Sequence, residues 1–294
     1  MEKTFSGAIQ VTDMQTPFQF DVATALCRGG RDYQEDALVT DFARGSDVGI
    51  AVLADGMGGH AAGDVASKIV VSEVFSELMF RRGDADALER EVTLALRDAA
   101  LSANSCLKYH VEAYPETFGM GATLVATVII KRNLYWLSIG DSPLFLYRDG
   151  CLIQLNEDHS MAPQIDYMVE TGLIRPEDAR DHPDRNVLTS VLFGEPIPRI
   201  DCPEEPIELE DGDLLIVASD GLQYLPNEEI KSVLALNRDT NCAIIADQLL
   251  ARVQAMDEPD LDNVSFSVIR ISGADQLSGQ VSVPPHITGL RCAG

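Results

Sequence analysis

Two separate apolar runs that end at the same dipeptide, Asp-Gly, constrain the fold of this chain more than any other feature. Residues 50–54 precede Asp55-Gly56, and residues 214–219 precede Asp220-Gly221. Continuous apolar runs of this length with β-branched residues are typical of strands that are covered on both faces. Because the glycine after each aspartate permits a tight turn, each strand is predicted to present a carboxylate at its end.

A third aspartate of this kind is Asp262, which stands with Asn263 immediately before the alternating segment 264–269. Carboxylates that strand ends bring together repel one another unless a cation lies between them. Hard divalent cations such as magnesium and manganese prefer oxygen ligands. A strand that ends in Asp-Gly is also an ordinary turn signal, but two matched runs together with Asp262 favour a metal site.

Composition excludes several classes of function. The formal net charge of −25 argues against a protein that binds nucleic acid, because such binding needs a basic surface. The six cysteines are scattered without a CxxC pair, which indicates reduced thiols in a cytoplasmic protein. No signal peptide or membrane-spanning segment is predicted, because the apolar runs are too short.

The order of predicted elements favours helices packed outside a β-sandwich. Helical patterns cover residues 64–80 and 85–110, and the second places one apolar face at three- and four-residue steps. Strands are then predicted at 121–130, 134–139 and 143–147, with tight turns between them. Residues 1–20 are predicted to be an extension or an edge strand, 21–272 a single body, and 273–294 a flexible tail.

A basic and acidic segment lies upstream of the first Asp-Gly strand, at residues 31–37. It contains Arg31 and the adjacent acids Glu35 and Asp36. A guanidinium beside a carboxylate-rich metal site suits phosphate recognition, because cations neutralise the anion while the planar fork of arginine binds two of its oxygens.

These segments resemble the metal-dependent protein phosphatases of the protein phosphatase 2C type, in the form typical of its bacterial branch. Eight segments match in the family's order and span about residues 21–272. They are residues 31–37, Asp55-Gly-Met-Gly-Gly-His60, residues 119–123, Gly140-Asp-Ser142, Asp158-His-Ser160, Leu188-Thr189, Ala218-Ser-Asp-Gly221 and Asp262-Asn263.

The resemblance implies an α+β fold, a four-layer α-β-β-α sandwich of two antiparallel sheets flanked by helices. It also implies two or three divalent cations, manganese or magnesium, at one edge. Asp55 would bridge two metals, the Gly56 carbonyl would bind one, and Asp220 and Asp262 would hold the other. Asp36 would act as a ligand or through coordinated water, and Asp141 would bind a further, weaker metal.

Other residues receive supporting roles from the same resemblance. Arg31 would bind the phosphate, and residues 156–190, here called the flap, would shape access to the site. Glu35, His60 and Asn263 would support the ligands from a second layer. The position of Met57 carries a histidine in some family members, as a proposed general acid, so the leaving-group proton must come from elsewhere here.

The implied reaction is hydrolysis of phosphoserine and phosphothreonine. Water between two divalent cations is acidified toward neutrality, so a metal-bridged hydroxide can attack phosphorus directly. Arg31, Asp55 and Asp220 are the candidates for the catalytic machinery. The implied partners are phosphorylated proteins, with the enzyme acting as a monomer that counters a serine/threonine kinase.

Two alternatives stay open. A catalytically silent homologue could bind phosphoproteins as a regulator, but such a protein is expected to lack one of Asp55, Asp220 or Asp262, and all three are present. The same metal centre could also serve a hydrolase of small phosphoesters. The acidic surface mildly favours basic phosphopeptides over free nucleotides.

Overall fold

Two antiparallel sheets stack face to face, with helices on both outer faces. The computed structural model describes residues 19–58, 62–180, 182–256 and 258–272. Its strands are β1 Gln19–Cys27, β2 Asp36–Asp41, β3 Val48–Met57, β4 Gly121–Ala122, β5 Leu124–Ile130, β6 Asn133–Ile139, β7 Leu144–Arg148, β8 Cys151–Gln154, β9 Ile207–Glu208, β10 Leu214–Ala218 and β11 Val264–Ser272. Its helices are α1 Ala62–Arg81, α2 Ala85–Ala113, α3 Ala162–Glu170, α4 Pro176–Arg180, α5 Asn227–Leu236 and α6 Cys242–Gln254.

The first sheet has the strand order β1-β11-β10-β7-β8, and the second has the order β2-β3-β5-β6-β9. The short strand β4 lies off this path and pairs with the end of β3. The two apolar runs that end in Asp-Gly form β3 and β10, one in each sheet, and both are buried as predicted. The predicted four-layer sandwich is therefore confirmed.

Three apolar layers hold the sandwich together. One lies between the sheets, one between the second sheet and helices α1 and α2, and one between the first sheet and helices α5 and α6. Side chains alternate along β3, so Ala51 and Leu53 face the other sheet while Ile50 and Val52 face the helices. Continuing that alternation places the side chain of Asp55 on the face between the sheets.

The predicted helices of the first half are present, with shifted ends. Helix α1 begins two residues before the predicted start, and α2 continues to Ala113 with a kink at Glu91, where φ is −126°. The predicted apolar face of α2 is buried. The sequence interpretation made no prediction for α5 and α6, which cover the first sheet.

One predicted strand, residues 121–130, is wrong as a continuous element. It divides at Thr123 into β4 and β5. The cause is a contact with a residue distant in the sequence: the Thr123 backbone N–H donates to the carbonyl oxygen of Asp55, at 2.9 Å, while the Asp55 N–H donates to the Thr123 side-chain hydroxyl. The two tight turns are confirmed, with positive φ at Lys131 and Asp149.

The ends of the described chain meet at the edge of the first sheet. Strand β1 is an edge strand that pairs over nine residues with β11, and Gln19 lies opposite Ser272. Most of the predicted extension and the whole predicted tail, residues 1–18 and 273–294, lie outside the described residues. None of the described helices is long and apolar enough to cross a membrane.

Candidate active site

Four aspartates converge at one end of the sandwich, two from each sheet. Asp36 opens β2 and Asp55 lies near the end of β3, directly opposite each other in the strand register. Asp220 lies two residues after β10, and Asp262 lies two residues before β11. Because β10 and β11 are antiparallel neighbours, these two residues lie at the same end of the first sheet.

The electrostatics of the four aspartates shows that they are close in space. Burial raises the pKa of Asp55 well above its ordinary value, and the negative charges of Asp36, Asp220, Asp141 and Asp262 raise it further. Burial likewise raises the pKa of Asp36 to about 7, against the lowering effect of hydrogen bonds from two serines. The site therefore concentrates like charge in a region of low water content.

Two oxygens in this cluster have no hydrogen-bond donor among the described residues. They are Oδ1 of Asp36 and Oδ1 of Asp220, and both are buried. A buried carboxylate oxygen without a partner is costly. A divalent cation would satisfy both oxygens and offset the repulsion, so the residues present fit a magnesium or manganese site.

No group of three histidine, cysteine, aspartate or glutamate side chains among the described residues forms a ready-made metal cage.

The hydroxyl of Ser219 positions the side chain of Asp36. The Ser219 hydroxyl donates to Oδ2 of Asp36, at 2.8 Å, and accepts from the backbone N–H of Ser265, at 3.0 Å. Ser219 directly follows β10 of the first sheet, so this contact joins the ends of the two sheets. The sequence interpretation gave Ser219 no role, although its position directly before Asp220 in the Ala-Ser-Asp-Gly motif was a usable signal.

A pair of hydroxyls joins Asp55 to the loop that carries Asp141. The Asp55 backbone N–H donates to the Thr123 hydroxyl, at 3.0 Å, and this hydroxyl lies 2.8 Å from that of Ser142. Burial raises the pKa of Asp141 to about 7, with further contributions from the charges of Asp220 and Asp158. Asp141 therefore lies beside the cluster.

Gly56 lies where the backbone has no room for a side chain. Its N–H donates to the carbonyl oxygen of Glu35, at 3.0 Å. A Cβ at this position would lie 2.0 Å from the carbonyl oxygen of Gly63, at the start of α1. The glycine thus lets the helix start pack against the end of β3, next to Asp55.

Asn263 fixes the segment that carries Arg31 and Glu35. Its side-chain oxygen accepts from the Glu35 backbone N–H, at 2.6 Å, and its amide donates to the carbonyl oxygens of Arg28 and Tyr33. Its neighbour Asp262 accepts from Nη2 of Arg31, also at 2.6 Å. The predicted phosphate-binding arginine is thus paired with a predicted metal ligand.

A cavity of about 590 Å³ opens over the acids. It is lined by Arg31, Asp141, Asp158, Ser160, Ala162, Arg185, Asn186, Asp220, Gln223, Tyr224 and Asp262. The flap supplies five of these residues, which agrees with its predicted place over the site. A larger cavity of about 680 Å³ lies at the other end of the first sheet, where Asp213 is already paired with Arg148.

His159 joins the flap to the Asp141 loop. Its buried Nδ1 accepts from the Gly140 backbone N–H, at 3.3 Å, and its own backbone bonds to Gly140 and Thr189. Burial lowers its pKa, so the neutral ring acts as a structural acceptor.

The cleft gathers nearly all of the predicted site residues. Arg31, Asp141, Asp220 and Asp262 line it. Asp36 and Asp55 face each other at the neighbouring end of β2 and β3, and the backbone of Glu35 bonds to Gly56 and to the Asn263 side chain. Burial raises the pKa of Glu35, and the charge of Arg31 opposes this rise. His60 lies outside the described residues.

Comparison with known proteins places the chain in a family. Residues 28–257 match the family model of protein phosphatase 2C. The "Serine/threonine phosphatase stp" of Listeria welshimeri is 34% identical over 190 residues, which cover 64% of this chain and 73% of the relative.

Solved structures agree with this match. A crystal structure of the Mycobacterium tuberculosis serine/threonine phosphatase PstP/Ppp aligns with a TM-score of 0.72 and 30% identity, covering 86% of this chain and 99% of that one. A catalytic domain of PstP in complex with two manganese ions aligns with a TM-score of 0.67 and 30% identity, covering 87% and 99%. This chain belongs to the protein phosphatase 2C family of protein-serine/threonine phosphatases, in its bacterial branch.

Proposed function

We propose that this protein hydrolyses phosphoserine and phosphothreonine in proteins at a binuclear manganese or magnesium centre in the cleft. The observation that carries the proposal is the convergence of four aspartates, two from each sheet, with buried oxygens that lack donors. Such a centre supplies a water whose pKa is lowered toward neutrality, the source of the predicted hydroxide nucleophile.

Each residue has a proposed role in holding the cations. Asp55 would contact both cations, because its carboxyl is close enough to all the other acids of the cluster for their charges to raise its pKa. The Gly56 carbonyl would bind one cation, and Asp220 and Asp262 would hold the other. Asp36, which Ser219 positions by a hydrogen bond, would act as a ligand or through coordinated water. Asp141 would bind a third, weaker cation.

Arg31 is proposed to bind the phosphate. It lines the cavity, and its side chain is half exposed. A guanidinium has five N–H donors, and the contact with Asp262 uses one of them. The remaining donors can bind phosphate oxygens while this contact holds the side chain at the cleft.

The experiment is release of phosphate from a phosphothreonine peptide with manganese, with magnesium and with excess chelator, alongside the Asp220→Asn variant. We expect release that requires metal and is lost in the variant. Absence of release under any metal, from folded protein, would indicate a silent binding protein. Hydrolysis of p-nitrophenyl phosphate without hydrolysis of any phosphopeptide would indicate a small-phosphoester hydrolase.

The surroundings of the enzyme are also proposals. Five cysteines of the described residues are unpaired, which supports a reducing, cytoplasmic location. Its substrates would be products of a serine/threonine kinase, and light scattering tests the proposed monomer. We propose that the catalytic domain is residues 21–272 with its start extended to Gln19, because the pairing of β1 begins there.

A further inference from the structure

An apolar rim lies at the end of β3, two residues beyond Asp55. It consists of Met57, Gly121 and Phe193. Met57 pairs with Gly121 in the β3–β4 register. Because side chains alternate along a strand, Met57 projects from the same face of β3 as Asp55, and 42% of its surface is exposed.

Gly121 brings Phe193 to this rim. A Cβ at position 121 would lie 2.7 Å from the Leu192 carbonyl oxygen and 3.2 Å from Cβ of Phe193. The absence of a side chain therefore lets the segment after the flap pack directly on β4, which the Ala122–Leu192 backbone bridge secures. Phe193 is held at its backbone, since its N–H donates to the side-chain oxygen of Asn104, yet 42% of its surface is exposed.

The rim contrasts with the cavity over the acids, where most of the charged lining residues are carboxylates. Arg31 and Arg185, two arginines that line the cavity, are each paired with an aspartate. The acidic walls disfavour acidic residues next to the phosphorylated one. The rim offers instead a surface on which an apolar side chain loses contact with water.

The spacing along β3 indicates which residue of a bound peptide would lie over the rim. Met57 lies two residues from Asp55, which corresponds to about 6.6 Å along a strand. A phosphorylated residue that reaches the acids must place its neighbours over the adjoining surface. An extended peptide covers the same distance in two residues.

We propose that the apolar rim selects phosphoprotein substrates that carry an apolar side chain about two residues from the phosphorylated residue, with Phe193 as a specificity-determining residue. This inference rests on the proposed function. It assigns the neighbouring sequence that the enzyme prefers, whereas the metal centre accounts only for hydrolysis.

The test compares two phosphothreonine peptide pairs that differ only by leucine or serine, at the second residue before or after the phosphothreonine. We expect the wild-type kcat/KM to be about fivefold higher for the leucine peptide at one of these positions. This is less than the effect of burying a leucine side chain completely, because the rim covers only part of it. Phe193→Ser should reduce this preference toward one, and Phe193→Leu should retain most of it.

p-Nitrophenyl phosphate, which has no neighbouring residues, separates the rim from the chemistry. Its hydrolysis should be unchanged in Phe193→Ser. The matched control is Phe80→Ser, which removes a 90% exposed phenylalanine from α1 and should leave the leucine preference intact.

Two results would overturn the inference alone. One is equal wild-type kcat/KM for leucine and serine at both positions. The other is a fall in kcat/KM in Phe193→Ser that is equally large for the leucine and the serine peptides. Failure to hydrolyse p-nitrophenyl phosphate with metal present would instead overturn the proposed function, and the inference with it.

Discussion

Asp36 and Asp55 face each other directly across the β2–β3 ladder, so a buried carboxylate and a half-buried one are held with their Cα atoms about 5 Å apart. Like charges directly opposite in a sheet are destabilising. The pair lies at one end of two strands whose other residues are mainly apolar. This cost has a function if the two carboxylates bind cations together.

Asp55→Asn and Asp220→Asn should each lower turnover by about a hundredfold or more, the scale seen when one preorganised catalytic group is removed. Neither change should impair folding, because each removes a charge from a repulsive cluster. Phosphate release measures the first effect. The fluorescence of Trp136, the single tryptophan, which is buried between the sheets, follows thermal unfolding.

Asp239→Asn is the matched control for these variants, since its side chain is 93% exposed. It should behave as wild type in both measurements. Full activity in either cleft variant would refute the assignment of the metal ligands.

The metal-free protein should be more stable at pH 6 than at pH 8. The pKa values of Asp36 and Asp141 are raised to about 7 in the folded state, whereas both carboxyls ionise near 4 when unfolded. Between these values the folded protein binds more protons, so its free energy of unfolding falls as pH rises toward and through 7. Thermal unfolding in excess chelator at the two pH values measures the difference.

Asp36→Asn should flatten this dependence, because the substituted amide does not titrate. A melting temperature in chelator that is higher at pH 8, for wild type and variant alike, would contradict the prediction. Excess manganese should weaken the trend, because metal binding requires ionised carboxylates.

Asn263→Ala should destabilise the protein by about 1–3 kcal/mol, the cost of leaving buried hydrogen-bonding groups without partners. Asn263 is 3% exposed and bonds to the backbone at Arg28, Tyr33 and Glu35. Urea unfolding measures the loss, and phosphatase activity should fall with it because Arg31 is carried on the same segment. Unchanged stability would show that the segment is held by other contacts.

Arg31→Ala should separate function from stability. The side chain is 50% exposed, and exposed ion pairs contribute about 0–1 kcal/mol, so urea unfolding should change little. KM for the phosphopeptide should rise as phosphate contacts are lost. Arg31→Lys should restore only part of the activity, because lysine lacks the planar fork. Wild-type kinetics in Arg31→Ala would exclude phosphate binding by this residue.

The sequence predicted the strands that end in Asp-Gly because the signal is local, a run of apolar residues followed by a turn. The same kind of signal was present for α5 and α6, where Ile230, Val233 and Leu234, and then Ile245 and Leu249, follow helical spacing. Those helices were predictable and went unassigned.

Other features depend on contacts between distant residues. The hydrogen bond from Ser219 to Asp36 joins residues 183 positions apart, and the contact between Arg31 and Asp262 joins residues 231 positions apart. No local pattern encodes these distances. The division of a predicted strand at Thr123 has the same origin, since its cause is a bond to Asp55.

The equal division of the four aspartates between the two sheets has a consequence for the protein's lifetime. Bound cations would link the two sheets at this end of the sandwich. Without them, the aspartate carboxylates of the two sheets would repel one another. We expect metal starvation to do more than silence the enzyme, because a loosened edge is where a protease would first gain access. The abundance of the protein in a cell would then follow the supply of manganese or magnesium.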